Sequence, residues 1–232
     1  MKFGVLAAFA GLAMLPAVAS AQWSDNFDSY AVGSINGQGG WQGWDNLASA
    51  AGTVSTDQFL SAPNSQKINS TSDSVHKFTG VTSGAWTFSI DQFIPTSFTG
   101  TTYFILNSVY NDGGPYQWAV QLDFNPTGGA GLIQDSIRGG SNPVSFVRGQ
   151  WANIRIDFDL TANTISQYYN GSLIKSGTWA TATYPALSLQ GVDLFGGSGS
   201  DVYYDNASLV PAPASLALLG LGGLLAARRR RA

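Results

Sequence analysis

Ile154-Arg155-Ile156-Asp157-Phe158-Asp159-Leu160 sets an apolar side chain at every second position, with Arg155, Asp157 and Asp159 between them. A period of two marks a β-strand with one buried and one wet face, because successive side chains leave a pleated strand on opposite sides. Just downstream, Ile165 to Tyr169 and Leu173 to Lys175 flank Asn170-Gly171. That pair tolerates the positive φ values of a two-residue hairpin turn, so the three runs read as consecutive antiparallel strands. Upstream, Trp118, Val120, Leu122 and Phe124 alternate with Gln117, Ala119, Gln121 and Asp123, and Trp86, Phe88 and Ile90 alternate with Thr87, Ser89 and Asp91. These patterns assign Trp86, Trp118 and Trp151 to the core. Asn111-Asp112-Gly113-Gly114-Pro115, Pro126-Thr127-Gly128-Gly129 and Gly139-Gly140-Ser141-Asn142-Pro143 read as loops. No helical periodicity is sustained between the two ends. About ten to thirteen strands fit, too many for one open sheet, which predicts two packed antiparallel sheets.

The chain has 232 residues with 14 acidic and 11 basic side chains and no cysteine. Every acidic residue is Asp. Disulfides and thiolate metal sites are thereby excluded, as are the HExxH zinc motif and the closing Glu of an EF-hand. With both ends set aside, Lys2 and Arg228 to Arg231 are lost but no Asp, and the net charge of residues 22–210 falls from −3 to −8. Nucleic acid is a poor partner for such a surface.

The ends read as addresses. Met1-Lys2, an uncharged apolar run from Phe3 to Leu15, and Ala19-Ser20-Ala21 predict a cleaved signal peptide over residues 1–21, and therefore export. At the other end, Val210-Pro211-Ala212-Pro213 precedes an apolar stretch from Ala214 to Ala227 and then Arg228, Arg229, Arg230 and Arg231. As a helix that stretch rises only about 21 Å against the roughly 30 Å hydrocarbon core, and the arginines would hold its end in the cytoplasm. Residues 210–232 thus resemble the PEP-CTERM sorting signal of Gram-negative bacteria, although Ala212 stands where that family has Glu. The resemblance implies processing by an exosortase-type membrane protease, transient inner-membrane anchoring, and a final place at the cell surface or in the extracellular matrix. A simple tail anchor is the competing reading.

Between the signals, residues 22–209 carry a second resemblance. Asp25-Asn26-Phe27-Asp28-Ser29-Tyr30, Gly40-Trp41-Gln42-Gly43-Trp44, Gly149-Gln150-Trp151 leading into the Asn170-Gly171 hairpin, Asp193-Leu194-Phe195, and Tyr203-Tyr204-Asp205-Asn206-Ala207-Ser208-Leu209 follow in an order that resembles bacterial laminin-G-like, concanavalin A-like jelly-roll domains. The resemblance implies an all-β two-sheet sandwich whose family includes lectins, carbohydrate-binding modules, adhesive domains and glycoside hydrolases. Fold alone does not choose among them. The β-glucan hydrolases of that group carry two Glu around an Asp on one strand, which a chain without Glu lacks. The expectation is therefore a non-catalytic, carbohydrate-binding or adhesive protein of the envelope or biofilm matrix. A structural matrix protein without a sugar site and an Asp-dependent glycoside hydrolase are the alternatives.

A sugar platform needs exposed aromatic faces bordered by groups that bond hydroxyls. Trp41, Trp44 and Asp45 in the Gly-rich segment, and Tyr110, Asp112 and Tyr116 around Asn111-Asp112-Gly113, have the required loop contexts. Aromatic plugs at the ends of the sandwich are the competing reading. For hydrolysis, Asp157 and Asp159 share one strand face, where a solvated surface is the simpler account. His76, the single histidine, lies in a strand pattern with no catalytic motif around it. For calcium, Asp28 and Asp205 match by position and residue type a structural site of carbohydrate-binding jelly rolls, with strand-end capping as the alternative. Of Tyr203 and Tyr204, one must point away from the core.

Overall fold

The computed structural model describes residues 22–125 and 131–212. The signal segment 1–21, the Pro126-Thr127-Gly128-Gly129 loop, Pro213, the apolar stretch and Arg228 to Arg231 lie outside the described residues. Sixteen strands are present among the described residues. The first eight are β1 Trp23–Asp25, β2 Gly33–Ser34, β3 Trp41–Gly43, β4 Thr53–Ser55, β5 Ser65–Ile68, β6 Asp73–Val81, β7 Ala85–Phe93 and β8 Thr102–Tyr110. The others are β9 Tyr116–Phe124, β10 Leu132–Asp135, β11 Val144–Ser145, β12 Trp151–Asp159, β13 Thr164–Tyr169, β14 Ser172–Gly177, β15 Leu189–Phe195 and β16 Val202–Pro211. The total exceeds the sequence expectation because β1, β2, β3, β4 and β11 are pieces of two or three residues, too short to show a period. Only two 3-10 turns, Trp44–Asn46 and Ala48–Ala50, interrupt the strands, and no helix among the described residues is long and apolar enough to cross a membrane.

Nine strands form one sheet in the order β14-β13-β12-β7-β16-β5-β4-β2, with β1 also paired to β16. Seven form the other, in the order β11-β10-β9-β8-β15-β6-β3. Every pairing is antiparallel, as short connections permit. The deciding alternation holds: Ile154, Ile156, Phe158 and Leu160 are buried, while Arg155, Asp157 and Asp159 face out. The β13–β14 hairpin turns at Asn170 (φ 46°) and Gly171 (φ 78°), both in the left-handed region a two-residue turn demands. Phe88, Ile90, Ile154 and Leu209 from one sheet meet Phe104, Leu122, Val192 and Leu194 from the other in a continuous apolar core. The unit Ala21–Ala212 contains all the described strands and this whole core.

The tryptophans depart from the sequence pattern. Trp41, expected on an exposed platform, is only 1% exposed and belongs to the core, with its Nε1 donating to Asp25 Oδ2 at 2.9 Å. Trp151, expected inside, has the parity of Arg155 and lies half-buried on the outer face against Phe93. Trp86 is half-buried at the core margin. Trp118 is turned outward by a bulge. Leu106 pairs with Val120 but the next residue, Asn107, pairs with Trp118, so Ala119 is the extra residue and occupies the inward position. A one-residue slip exchanges the faces of a strand, and this one separates Trp118 from Val120, Leu122 and Phe124. The carbonyl of Ala119 accepts instead from Arg138 Nη2 at 2.7 Å. Of the tyrosines, Tyr204 is fully buried and Tyr203 packs on Phe93 on the opposite side of β16.

Candidate functional site

The outer face of the seven-stranded sheet carries a depression of about 310 Å³. Four of its strands supply the floor. Period two in β15 sends Val192 and Leu194 into the core and leaves Asp193 and Phe195 on this face. Asp73 comes from β6, Tyr103 and Ile105 from β8, and Trp118 and Gln121 from β9, where the Ala119 bulge aligns them. Tyr103 and Phe195, directly paired across β8 and β15, stack at 5.3 Å between centroids.

Trp44 closes one side. It follows β3 in a 3-10 turn in which Asp45 (φ 54°) and Asn46 (φ 59°) take left-handed conformations that short polar residues tolerate. Its ring meets Tyr110 and Tyr116, each at 4.8 Å. Asp45 fixes the arrangement: its amide donates to Tyr110 Oη at 2.9 Å, and its Oδ1 accepts from the Gly113 amide at 2.9 Å and from the Tyr116 hydroxyl. Asp112 accepts from Gln42 Nε2 at 2.6 Å and pairs with Lys77 Nζ at 2.9 Å, and Lys77 holds its carboxyl below the usual range. Trp44, Asp45, Tyr110, Asp112 and Tyr116, chosen from two distant loops, therefore form one cluster beside the depression. Trp41 lies beneath, in the core.

The two acids were not singled out by the sequence. Asp193 is only 2% exposed, and burial pushes its carboxyl well up, reinforced by the neighbouring charge of Asp73 and a hydrogen bond to it. Asp73 is also raised by burial, with the Asp193 bond opposing the shift. The two carboxyls share one hydrogen bond, so the pair retains a proton between them. Apart from that shared bond, no protein donor reaches Oδ1 of either, and both atoms are shut away from water. The Asp193/Phe195 against Val192/Leu194 alternation was the available signal for β15. Nothing in the sequence links it to Asp73 across 120 residues.

The remaining sequence candidates sit elsewhere. Asp205 is buried and receives the Leu60, Ser61 and Asn206 amides and the Ser61 hydroxyl. Asp28 accepts from the Asn64 amide at 3.2 Å and from Asn26 Nδ2 at 2.6 Å. Each has its own donors, and no group of three or more metal-ligating His, Cys, Asp or Glu occurs among the described residues. Asp157 accepts from Thr87 at 2.9 Å and Asp159 from the Thr161 and Ala162 amides, on the outer face of the other sheet. His76 is enclosed by Trp23, Trp41 and Phe78, and burial lowers its pKa to about 4. Pro211 ends β16, and the Ala212 amide donates to Ala85 O at 2.8 Å, so the sandwich runs past the expected boundary at 209.

No protein-family model matches the sequence, and no curated protein matches it. Among solved structures, a sialidase superposes with TM-score 0.56 at 12% identity, over 84% of this chain and 19% of that one. The chain spans about a fifth of that sialidase. The catalytic domain of the glycoside hydrolase family 131 protein from Coprinopsis cinerea superposes with TM-score 0.54 at 12% identity, over 83% of this chain and 95% of that one. The fold is a jelly-roll sandwich. At such identity the likeness extends to the fold alone, and the jelly roll implied by the sequence resemblance is the architecture found.

Proposed function

We propose that this chain is an exported glycan-binding protein whose saccharide lies in the depression between Trp44, Tyr103, Trp118 and Phe195. The observation that carries the reading is the combination, in one concavity, of aromatic rings with two carboxyl groups that have no protein donor but each other. Rings offer stacking surface to the C–H faces of a pyranose, and a pair of carboxyls sharing one bond keeps lone pairs that can accept from hydroxyls. The site cluster around Asp45 stiffens the Trp44 side, so little ordering cost falls on binding.

The reading is non-catalytic. Glycosidases need two carboxyl groups flanking the scissile bond, about 5 Å or more apart, whereas Asp73 and Asp193 are hydrogen-bonded to each other and stand on one side. Hydrolysis is the second reading, favoured by the carboxyl pair and by the fold shared with a sialidase and a glycoside hydrolase family 131 catalytic domain. It now points to Asp73 and Asp193 rather than Asp157 and Asp159. Export, exosortase processing and residence at the surface or matrix of a Gram-negative bacterium complete the proposal, and rest on residues 1–21 and 210–232.

The test is a polysaccharide retention screen on Ala21–Ala212, with calcium and with chelator, scored also for released reducing ends. Trp118→Ala is expected to cut retention at least about tenfold while the melting temperature changes little, because the ring lines a surface depression. Retention unchanged in Trp118→Ala and Trp44→Ala would sink the site. New reducing ends that vanish in Asp73→Asn would favour hydrolysis, and no retention by the folded unit would favour a structural matrix role.

A further inference from the structure

We propose that the depression selects saccharides bearing a free amine, with the ammonium seated against Asp73 and Asp193 between the aromatic rings. This rests on the reading of the depression as a glycan site. Charge is the first reason: no Lys or Arg lines the depression, and the nearby Lys77 on β6 is already paired with Asp112 at 2.9 Å. Asp45, whose charge acts on Asp73, and Asp123 on β9, whose charge acts on Tyr103, add to the negative field. Uronic or sulfated sugars would set like charges together.

Valence is the second reason. Asp193 is only 2% exposed, and the carboxyls of Asp193 and Asp73 have no protein donor but each other. One hydroxyl supplies a single proton, whereas an ammonium supplies three donors and a compensating charge. The rings are the third. Trp44, Tyr103, Trp118 and Phe195 offer π-faces, which attract a desolvated cation as well as a sugar C–H face.

Proton balance makes the inference separable. The pair holds one proton, and an arriving cation favours the doubly ionised form, so that proton leaves for solvent as the ammonium binds. The charged groups facing that proton are Asp73 from β6, Asp45 from the 3-10 turn and Asp123 from β9; Tyr103 from β8 stays neutral. A neutral sugar causes no such release.

Calorimetric titration of Ala21–Ala212 with a glucosamine tetrasaccharide, its N-acetylated form, a neutral glucan tetrasaccharide, a uronate oligomer and tetralysine, in buffers of different ionisation heat at mildly acidic pH, decides it. The amine sugar is expected to bind at least about tenfold tighter than the N-acetylated one and to release a proton. Asp193→Asn should abolish that release, and Asp73→Asn should abolish the preference for the amine sugar over its N-acetylated form. Equal affinity for amine and neutral sugars would overturn the inference and leave the glycan site standing. Tetralysine binding as tightly as the amine sugar would overturn it too, as attraction to a net negative surface. Absence of binding by any saccharide would remove both readings.

Discussion

Asp135 and Asp193 are both shut away from water, at 0% and 2% exposure, yet they are handled in opposite ways. Asp135, at the end of β10, accepts from the Ile137 and Arg138 amides, from Arg138 Nη1 at 3.2 Å and from Gln167 Nε2 at 2.7 Å. Arg138 in turn donates to carbonyls of Ala119, Thr178 and Trp179, which ties β9 to the segment after β14. Asp193 meets another acid, and keeps a proton because burial without a counterion penalises the charge. A saturated carboxylate holds scaffold together and has nothing left to offer a ligand. An unsaturated one costs stability and retains capacity to bind.

The contrast can be broken at three points. The largest expected effect is at Arg138, whose replacement in Arg138→Ala leaves Asp135 buried without its counter-charge; a loss of about 3 kcal/mol in urea unfolding is expected. A loss below about 1 kcal/mol would mean that Asp135 is no structural anchor. Next comes His76, a buried base without a counterion. Its folded pKa, about 4, lies below the unfolded value, so the unfolded chain binds more protons between the two. Stability should fall by about 3 kcal/mol as pH drops from about 6.5 to 4, and His76→Phe should flatten that slope. A slope unchanged by the substitution would assign the acid limb to other groups. The smallest effect is at Asp193. Its folded pKa is raised, so the folded chain binds more protons, and its contribution is complete below about 3.9 and declines as pH rises toward the folded value. Asp193→Asn, which leaves a donor beside Asp73 and removes the titration, should be more stable than the parent at pH 8, and no gain in thermal melting would refute the shared proton.

Elements with an uninterrupted period were legible. The β12–β13–β14 meander could be read from alternation and Asn170-Gly171 because both signals are local. The Trp44/Asp45 and Tyr110/Asp112/Tyr116 groups were recognisable as loop residues, and their meeting follows from β3 and β8 lying in the same sheet. Trp118 was misassigned because a bulge is invisible to a period-two reading: Ala119 fits either face, and only pairing with β8 decides which. Trp41 was misassigned because the Gly-rich composition around it suggests a loop, whereas three residues of β3 pair with β6 and press its ring onto His76. The acid pair was hidden for a different reason. It arises from the diagonal proximity of β6 and β15, in which Asp73 stands opposite Phe195 and Asp193 opposite Val75.

The last strand has a mechanical consequence. β16 is an interior strand of the larger sheet, paired with β7 from Tyr203 to Pro211, with β5 at its start and with β1 beyond its bulge. Antiparallel ladder bonds stand across the strand axis. A pull on the chain beyond Ala212 would run along β16, loading those bonds side by side in shear rather than peeling them one after another. Since Gln22 donates to Leu209 at 2.9 Å, the described chain also enters beside the point where it leaves. Such a load would thus be borne by a strand paired with three others, leaving the edge strands β2 and β14 outside the line of force.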